Sequence, residues 1–161
     1  MAGRNDFEDY IRRARKIIRT HGWMVQGVLP DANQTSFSYS VGLSESFGHP
    51  EIFIVGLHPE QARGIINAAG TNVRLGQRFD RPCLSDTVIA DYPVAFRPIE
   101  RASCVEHSSA GRAILGREFD GVQLVIPDVK GFFPWDRECN PKYAAMQTSL
   151  LSPVGKPPSR Q

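Results

Sequence analysis

Phe37-Ser38-Tyr39-Ser40-Val41-Gly42-Leu43, then Ser44-Glu45-Ser46-Phe47-Gly48-His49-Pro50, then Glu51-Ile52-Phe53-Ile54-Val55-Gly56-Leu57 is the stretch that decides the fold. Two apolar segments are divided by one polar loop. In the first, Phe37, Tyr39 and Val41 alternate with Ser36, Ser38 and Ser40. That period belongs to a strand with one packed face and one face that is polar or lines a cavity. The second segment, 51–57, is continuously apolar, as a strand inside a sheet is. A helix start follows, with His58 at the cap, Pro59 in the first turn and Glu60 just after. Ala62, Ile65, Ile66 and Ala69 give that helix its buried face, and Gly70 is expected to end it.

Upstream, Phe7, Tyr10, Ile11, Ala14, Ile17 and Ile18 repeat at helical spacing, which predicts a helix over 6–20. Gly22 stops it, and a strand over 23–29 leads through Pro30-Asp31-Ala32-Asn33 into the serine-alternating strand. A turn that short predicts an antiparallel pair. Downstream, short strands are expected near 77–79, 87–90 and 94–99, a third helix within 103–115 and a strand over 122–126. Helices do not alternate strictly with strands. The expected class is therefore α+β, a mostly antiparallel, barrel-like sheet with two or three helices packed outside. Residues 1–139 are expected to form a single globular domain. Residues 140–161 read as a C-terminal extension, flexible at its end.

Bulk properties exclude several functions. The net charge is +2, from 19 basic and 17 acidic residues, which argues against a nonspecific hold on nucleic acid. No apolar run reaches the roughly 18–20 residues that span a bilayer, and the first residues carry no secretory apolar core. Three cysteines, Cys83, Cys104 and Cys139, are an odd number, which fits reduced thiols and a cytoplasmic location. Cys104 and His107 lie three apart, but no Cys-x-x-Cys pair completes a zinc set, so no metal is expected.

His21-Gly22-Trp23, Tyr39-Ser40-Val41-Gly42-Leu43, Gly48-His49-Pro50-Glu51, Val55-Gly56-Leu57, Gln123-Leu124-Val125, Pro127-Asp128 and Phe133-Pro134-Trp135 together resemble the family catalogued as domain of unknown function 4262 (DUF4262). The resemblance runs over 17–136. It implies no activity, because the family name assigns none. The order strand, strand, apolar strand, helix is also similar, as architecture, to the split-barrel flavoproteins of the flavin reductase and pyridoxamine-phosphate oxidase type. That likeness implies a flavin cofactor faced by Ser38 and Ser40.

Candidate site residues sit in two loops. Pro50 holds His49 extended beside Glu51, a pairing that suits acid–base work near neutral pH. Asp128 and Asp136 flank Val129-Lys130-Gly131-Phe132-Phe133-Pro134-Trp135, where two carboxylates could share a proton and Trp135 could stack on a ring. Arg74 and Arg78 are the expected anchors for a phosphate. The sequence thus points to a small-molecule binding domain, flavin- or nucleotide-type, with its site between the 44–51 and 128–136 loops. Whether it is an enzyme is left open. The competing reading is a protein-interaction or regulatory module that uses the 132–135 aromatics, with self-association as a variant of it.

Overall fold

The alternating segment and the apolar segment become neighbouring strands at the centre of one sheet. The computed structural model describes residues 3–159. In chain order the elements are α1 (Arg4–His21), β1 (Met24–Val28), β2 (Phe37–Val41), α2 (Leu43–Phe47), β3 (Glu51–Val55), α3 (Pro59–Arg74), β4 (Cys83–Ser85), β5 (Val94–Pro98), α4 (Arg101–Glu106), α5 (Ser109–Leu115), β6 (Gly121–Val125) and α6 (Pro141–Thr148). The six strands lie in the order β1-β2-β3-β6-β5-β4.

The α+β class holds, and the finer expectation is corrected. β1–β2, β2–β3, β5–β6 and β4–β5 are antiparallel, but the central pair β3–β6 is parallel, with Glu51 opposite Gly121 and Phe53 opposite Gln123. The sheet is therefore mixed. It is also open, because β1 and β4 end it without pairing to one another. A parallel pair needs a long crossover, and here α3, β4, β5, α4 and α5 all lie between its two strands. Six helices form among the described residues rather than two or three.

Both faces of the sheet are covered. On one, Ile52, Ile54, Val94, Phe96, Val122 and Leu124 meet Ala62, Ile66, Ala69 and Val73 of α3. On the other, Phe37, Tyr39, Val41, Phe53 and Val55 meet Ala14 and Ile18 of α1, Ile114 of α5 and Leu151 beyond α6. Coverage on two faces explains why β2 is buried throughout despite its serines.

Several local expectations change. Gly70 does not end α3; a Cβ there would lie 2.7 Å from the Trp23 ring, so the glycine admits the indole and the helix runs on to Arg74. The segments near 77–79 and 87–90 are not strands, and β4 forms between them. The helix expected within 103–115 is broken at His107-Ser108 into α4 and α5. After Asn140 the chain forms α6 and returns to the sheet. Asn140 Oδ1 caps α6 by accepting from the Lys142 amide (2.9 Å), with Pro141 in the first turn. Beyond α6, Ile99 and Pro153 form a bridge, and Arg97 donates to the Gly155 carbonyl (2.7 Å).

Candidate functional site

Parallel pairing of β3 with β6 decides which loops meet. It sets the start of β3 beside the start of β6, so the 44–51 loop neighbours the 116–120 turn. The 128–136 loop follows the far end of β6. Five-residue strands separate the two ends by about 13 Å. The two loops expected to share a site thus lie at opposite ends of the sheet.

At the near end, Glu51 organises the backbone. Its carboxylate is fully buried and receives five hydrogen bonds. Oε1 accepts from Ser40 Oγ (2.7 Å) and the Leu43 amide (3.1 Å). Oε2 accepts from the Gly42 and Ser44 amides (3.0 Å each) and from Ser44 Oγ (2.6 Å). These are the groups where the chain turns from β2 into α2. Burial pushes the Glu51 pKa up, while the hydrogen bonds from Ser44, Ser40 and Gly42 pull it down. Ser40 Oγ also accepts from the Ile52 amide (2.9 Å). Ser40 therefore bridges β2 and β3. Ser38, opposite Ile54 on the α3 face, is buried as well.

His49 performs a similar task one loop further. Its Nδ1–H donates to the Pro50 carbonyl (2.8 Å), and its Nε2 accepts from the Phe79 amide (2.9 Å). Both ring nitrogens are engaged by backbone, which fixes the neutral tautomer. Burial pushes the His49 pKa down. The sign of the linkage follows. Below the ordinary value of 6.5 the unfolded chain takes up a proton that folded His49 refuses. Stability should then fall as pH falls from 6.5, by up to ~1.4 kcal/mol per pH unit, until the depressed folded pKa is reached. Urea titrations at pH 7.5 and 5.5 should show this loss in the native sequence and a smaller one in His49→Gln.

Around these two residues opens a cleft of about 440 Å³, lined by Ser44, Gly48, His49 and Pro50, by Arg78 and Asp80, and by Arg101 and 117–120. Arg78 is held by Asp80 (2.8 Å) and by the Phe47 and Gly48 carbonyls (3.3 and 3.1 Å). That contact with Arg78 holds the Asp80 carboxyl below its usual range. Arg101 pairs with Asp120 (2.6 Å). Arg117 donates to Ser44 Oγ (3.3 Å) and to the Glu118 carbonyl (3.4 Å), and has no carboxylate partner among the described residues. Arg101, Arg117 and Asp120 escaped the sequence reading because only the parallel pairing brings them to the 44–51 loop.

A family profile described as Domain of unknown function (DUF4262) matches residues 17–140. The chain belongs to this family. No curated protein and no solved structure matches it. The DUF4262 segment holds every residue of the cleft, and it ends just before α6.

The other candidates of the DUF4262 segment lie apart from the cleft. Arg74 stacks over the Trp23 ring (4.6 Å) and donates to the His21 carbonyl. Asp128 Oδ1 accepts from the Lys130 and Phe132 amides (2.9 Å each), and Asp136 Oδ2 accepts from the Phe133 amide (2.7 Å). These carboxylates shape turns. Phe133 is buried, Trp135 stacks on it (5.1 Å), and the Arg97 guanidinium lies over the Trp135 ring (5.4 Å). Cys104 is buried with its Sγ on the Phe119 carbonyl (3.3 Å), and burial pushes its pKa up to about 12, far from a reactive thiolate. Among the described residues no group of three or more His, Cys, Asp or Glu could hold a metal ion, and no helix is long and apolar enough to cross a membrane.

Proposed function

We propose that this DUF4262 protein binds a small, hydroxyl-bearing phosphate ester, nucleotide-type, in the cleft beside the 44–51 loop. Arg117 carries the reading. It is a guanidinium at the cleft wall, steadied by Ser44 Oγ and with no ion pair to a carboxylate among the described residues. Arg78 and Arg101 line the same cleft, and a guanidinium fork suits a phosphate. The wall is mixed in charge, since Asp80, Glu118 and Asp120 also line it. Those carboxylates suit ligand hydroxyls and disfavour a bare polyanion. The volume lies within the 300–1,000 Å³ typical of small-molecule sites.

In this reading Glu51 and His49 are positioning residues. Glu51 fixes Ser44, and His49 fixes the segment that carries Arg78 and Asp80. Trp135, Asp128 and Asp136 belong to the opposite end of the sheet and have no part in the site. A flavin is not specifically favoured, because the stacking surface of Trp135 is remote from Arg78, Arg101 and Arg117 of the cleft.

The test is calorimetry of the purified protein against nucleoside monophosphates, sugar phosphates and the parent nucleosides. Phosphorylated ligands should bind and their dephosphorylated counterparts should not. Arg117→Ala should weaken binding about tenfold or more, the effect of losing one charge-assisted contact. Equal binding by native and Arg117→Ala protein, or binding by no phosphate ester, would sink the reading.

A further inference from the structure

The sheet has an open edge at β1, and the groove along it differs in charge from the cleft above. β1 is the terminal strand, with β2 on its inner side and, among the described residues, no strand on its outer side. α1 and α3 flank that edge, one on each face of the sheet, because Trp23 and Val25 pack toward α3 while Met24 packs toward α1. The result is a groove of about 530 Å³ that straddles the strand. Its floor is Trp23, Met24 and Val25. One wall is Ile17 and His21 of α1, and the other includes Arg63, Asn67 and Arg74 of α3.

Three observations define what would fit. No acidic side chain lines the groove, and neither Arg63 nor Arg74 has a carboxylate partner among the described residues. The basic character continues along α1. Arg13 stands four residues before the exposed Ile17 and eight before His21, so the three share one helical stripe. Arg13, Lys16 and Arg19 form no ion pair among the described residues, whereas Arg12 and Arg15 are paired with Asp9 and Glu45. Finally, the edge is guarded at only one end. The Gln26 side chain donates to the Gly27 carbonyl (2.9 Å) and is itself held by Tyr10. Such a side chain blunts an edge. Among the described residues no side chain hydrogen-bonds the backbone of Met24 or Val25, where the groove is.

We propose that the β1 edge docks an extended acidic peptide segment of a partner protein, which adds to the sheet as a seventh strand between α1 and α3. Main-chain hydrogen bonds to the strand would supply affinity. Ile17, Met24 and Val25 offer apolar contact to alternate side chains, and Arg63, Arg74 and Arg13 select acidic residues for the rest. β1 spans about 13 Å, so roughly five residues of the partner would pair. This inference is independent of the phosphate cleft, which lies at the 44–51 loop and shares no lining residue with the groove.

The experiment is a selection of random ten-residue peptides on the full-length protein, followed by hydrogen exchange with the strongest peptide bound. The enriched peptides should be acidic with alternating apolar residues. Their binding should slow exchange at Met24–Val28, weaken with salt and fall at least tenfold in Arg63→Glu, an exposed substitution that leaves the core untouched. Four results would overturn the proposal: no enrichment, enrichment without acidic bias, protection confined to the 44–51 loop, or single-stranded DNA binding the groove while peptides do not.

Discussion

Replacing Glu51 with leucine should lower stability by about 4 kcal/mol, among the largest effects available in this chain to a single side chain. Three backbone amides and two serine hydroxyls converge on its two oxygens. Leucine leaves the amides of Gly42, Leu43 and Ser44 without an acceptor. Each unsatisfied buried donor costs ~1–3 kcal/mol, and the apolar gain of leucine offsets only part of that. In a domain of this length the loss should lower Tm by on the order of 10 °C. Glu51→Gln is the informative companion. All three amides are obligate donors, and they divide between the two oxygens, so either orientation of a glutamine places its NH₂ against at least one N–H. Ser40 Oγ already accepts from Ile52, and Ser44 Oγ from Arg117, so each is oriented to donate toward Glu51. Five donors on its two oxygens suit an ionised carboxylate, against the upward push of burial. Glu51→Gln should therefore lose about 2 kcal/mol in thermal and urea unfolding. A glutamine variant as stable as the native protein would show that Glu51 is a neutral acid that the amide can imitate.

The same residue shows how far the sequence can be read. Glu51 stands out as a carboxylate at a strand mouth, and the local period correctly places Phe37, Tyr39 and Val41 on one face of β2. The helix signal at His58-Pro59-Glu60 is equally local, and α3 begins there. Periodicity assigns faces, but it says nothing about partners. The pairing of β3 with β6 joins residues seventy apart, Glu51 and Gly121, and no local signal encodes it. That one contact decides that Arg117 and Asp120, rather than Asp128 and Trp135, neighbour the 44–51 loop. Gly70 was ambiguous for a related reason. A glycine at a helix end and a glycine under an indole look alike until the indole is placed. α2 escaped because five residues are too few to show a helical period. α6 did carry a signal, Asn140 followed by Pro141, the cap and first-turn pair of a helix start.

That last helix carries the second large expectation, a loss of about 3 kcal/mol in Gln147→Leu. Gln147 is fully buried, and its amide grips the backbone just past β6: Oε1 accepts from the Ile126 amide (3.0 Å) and Nε2 donates to the Ile126 carbonyl (2.8 Å). Its own carbonyl accepts from Gln123 Nε2 (2.6 Å). The carbonyl of Ile126 keeps a second partner in the Tyr143 hydroxyl (2.9 Å), but its amide has no substitute in the variant. Leucine conserves volume, so the loss reports the two hydrogen bonds and one orphaned N–H rather than a cavity. The consequence reaches beyond α6. Met146 lies against Gly56, where a Cβ would come within 2.8 Å of the Met146 carbonyl, and Leu151 enters the core with Phe37, Tyr39 and Phe53. If residues 141–155 are integral to the domain, Gln147→Leu should lower the single unfolding midpoint, and exchange should quicken at β3 and β6 as well as at α6. If they are a separable extension of the DUF4262 segment, exchange should quicken only beyond Asn140 while the midpoint holds. The interlocking of Gln147 with β6 and of Leu151 with β2 and β3 predicts the first outcome, because neither contact can open without exposing strands at the centre of the sheet.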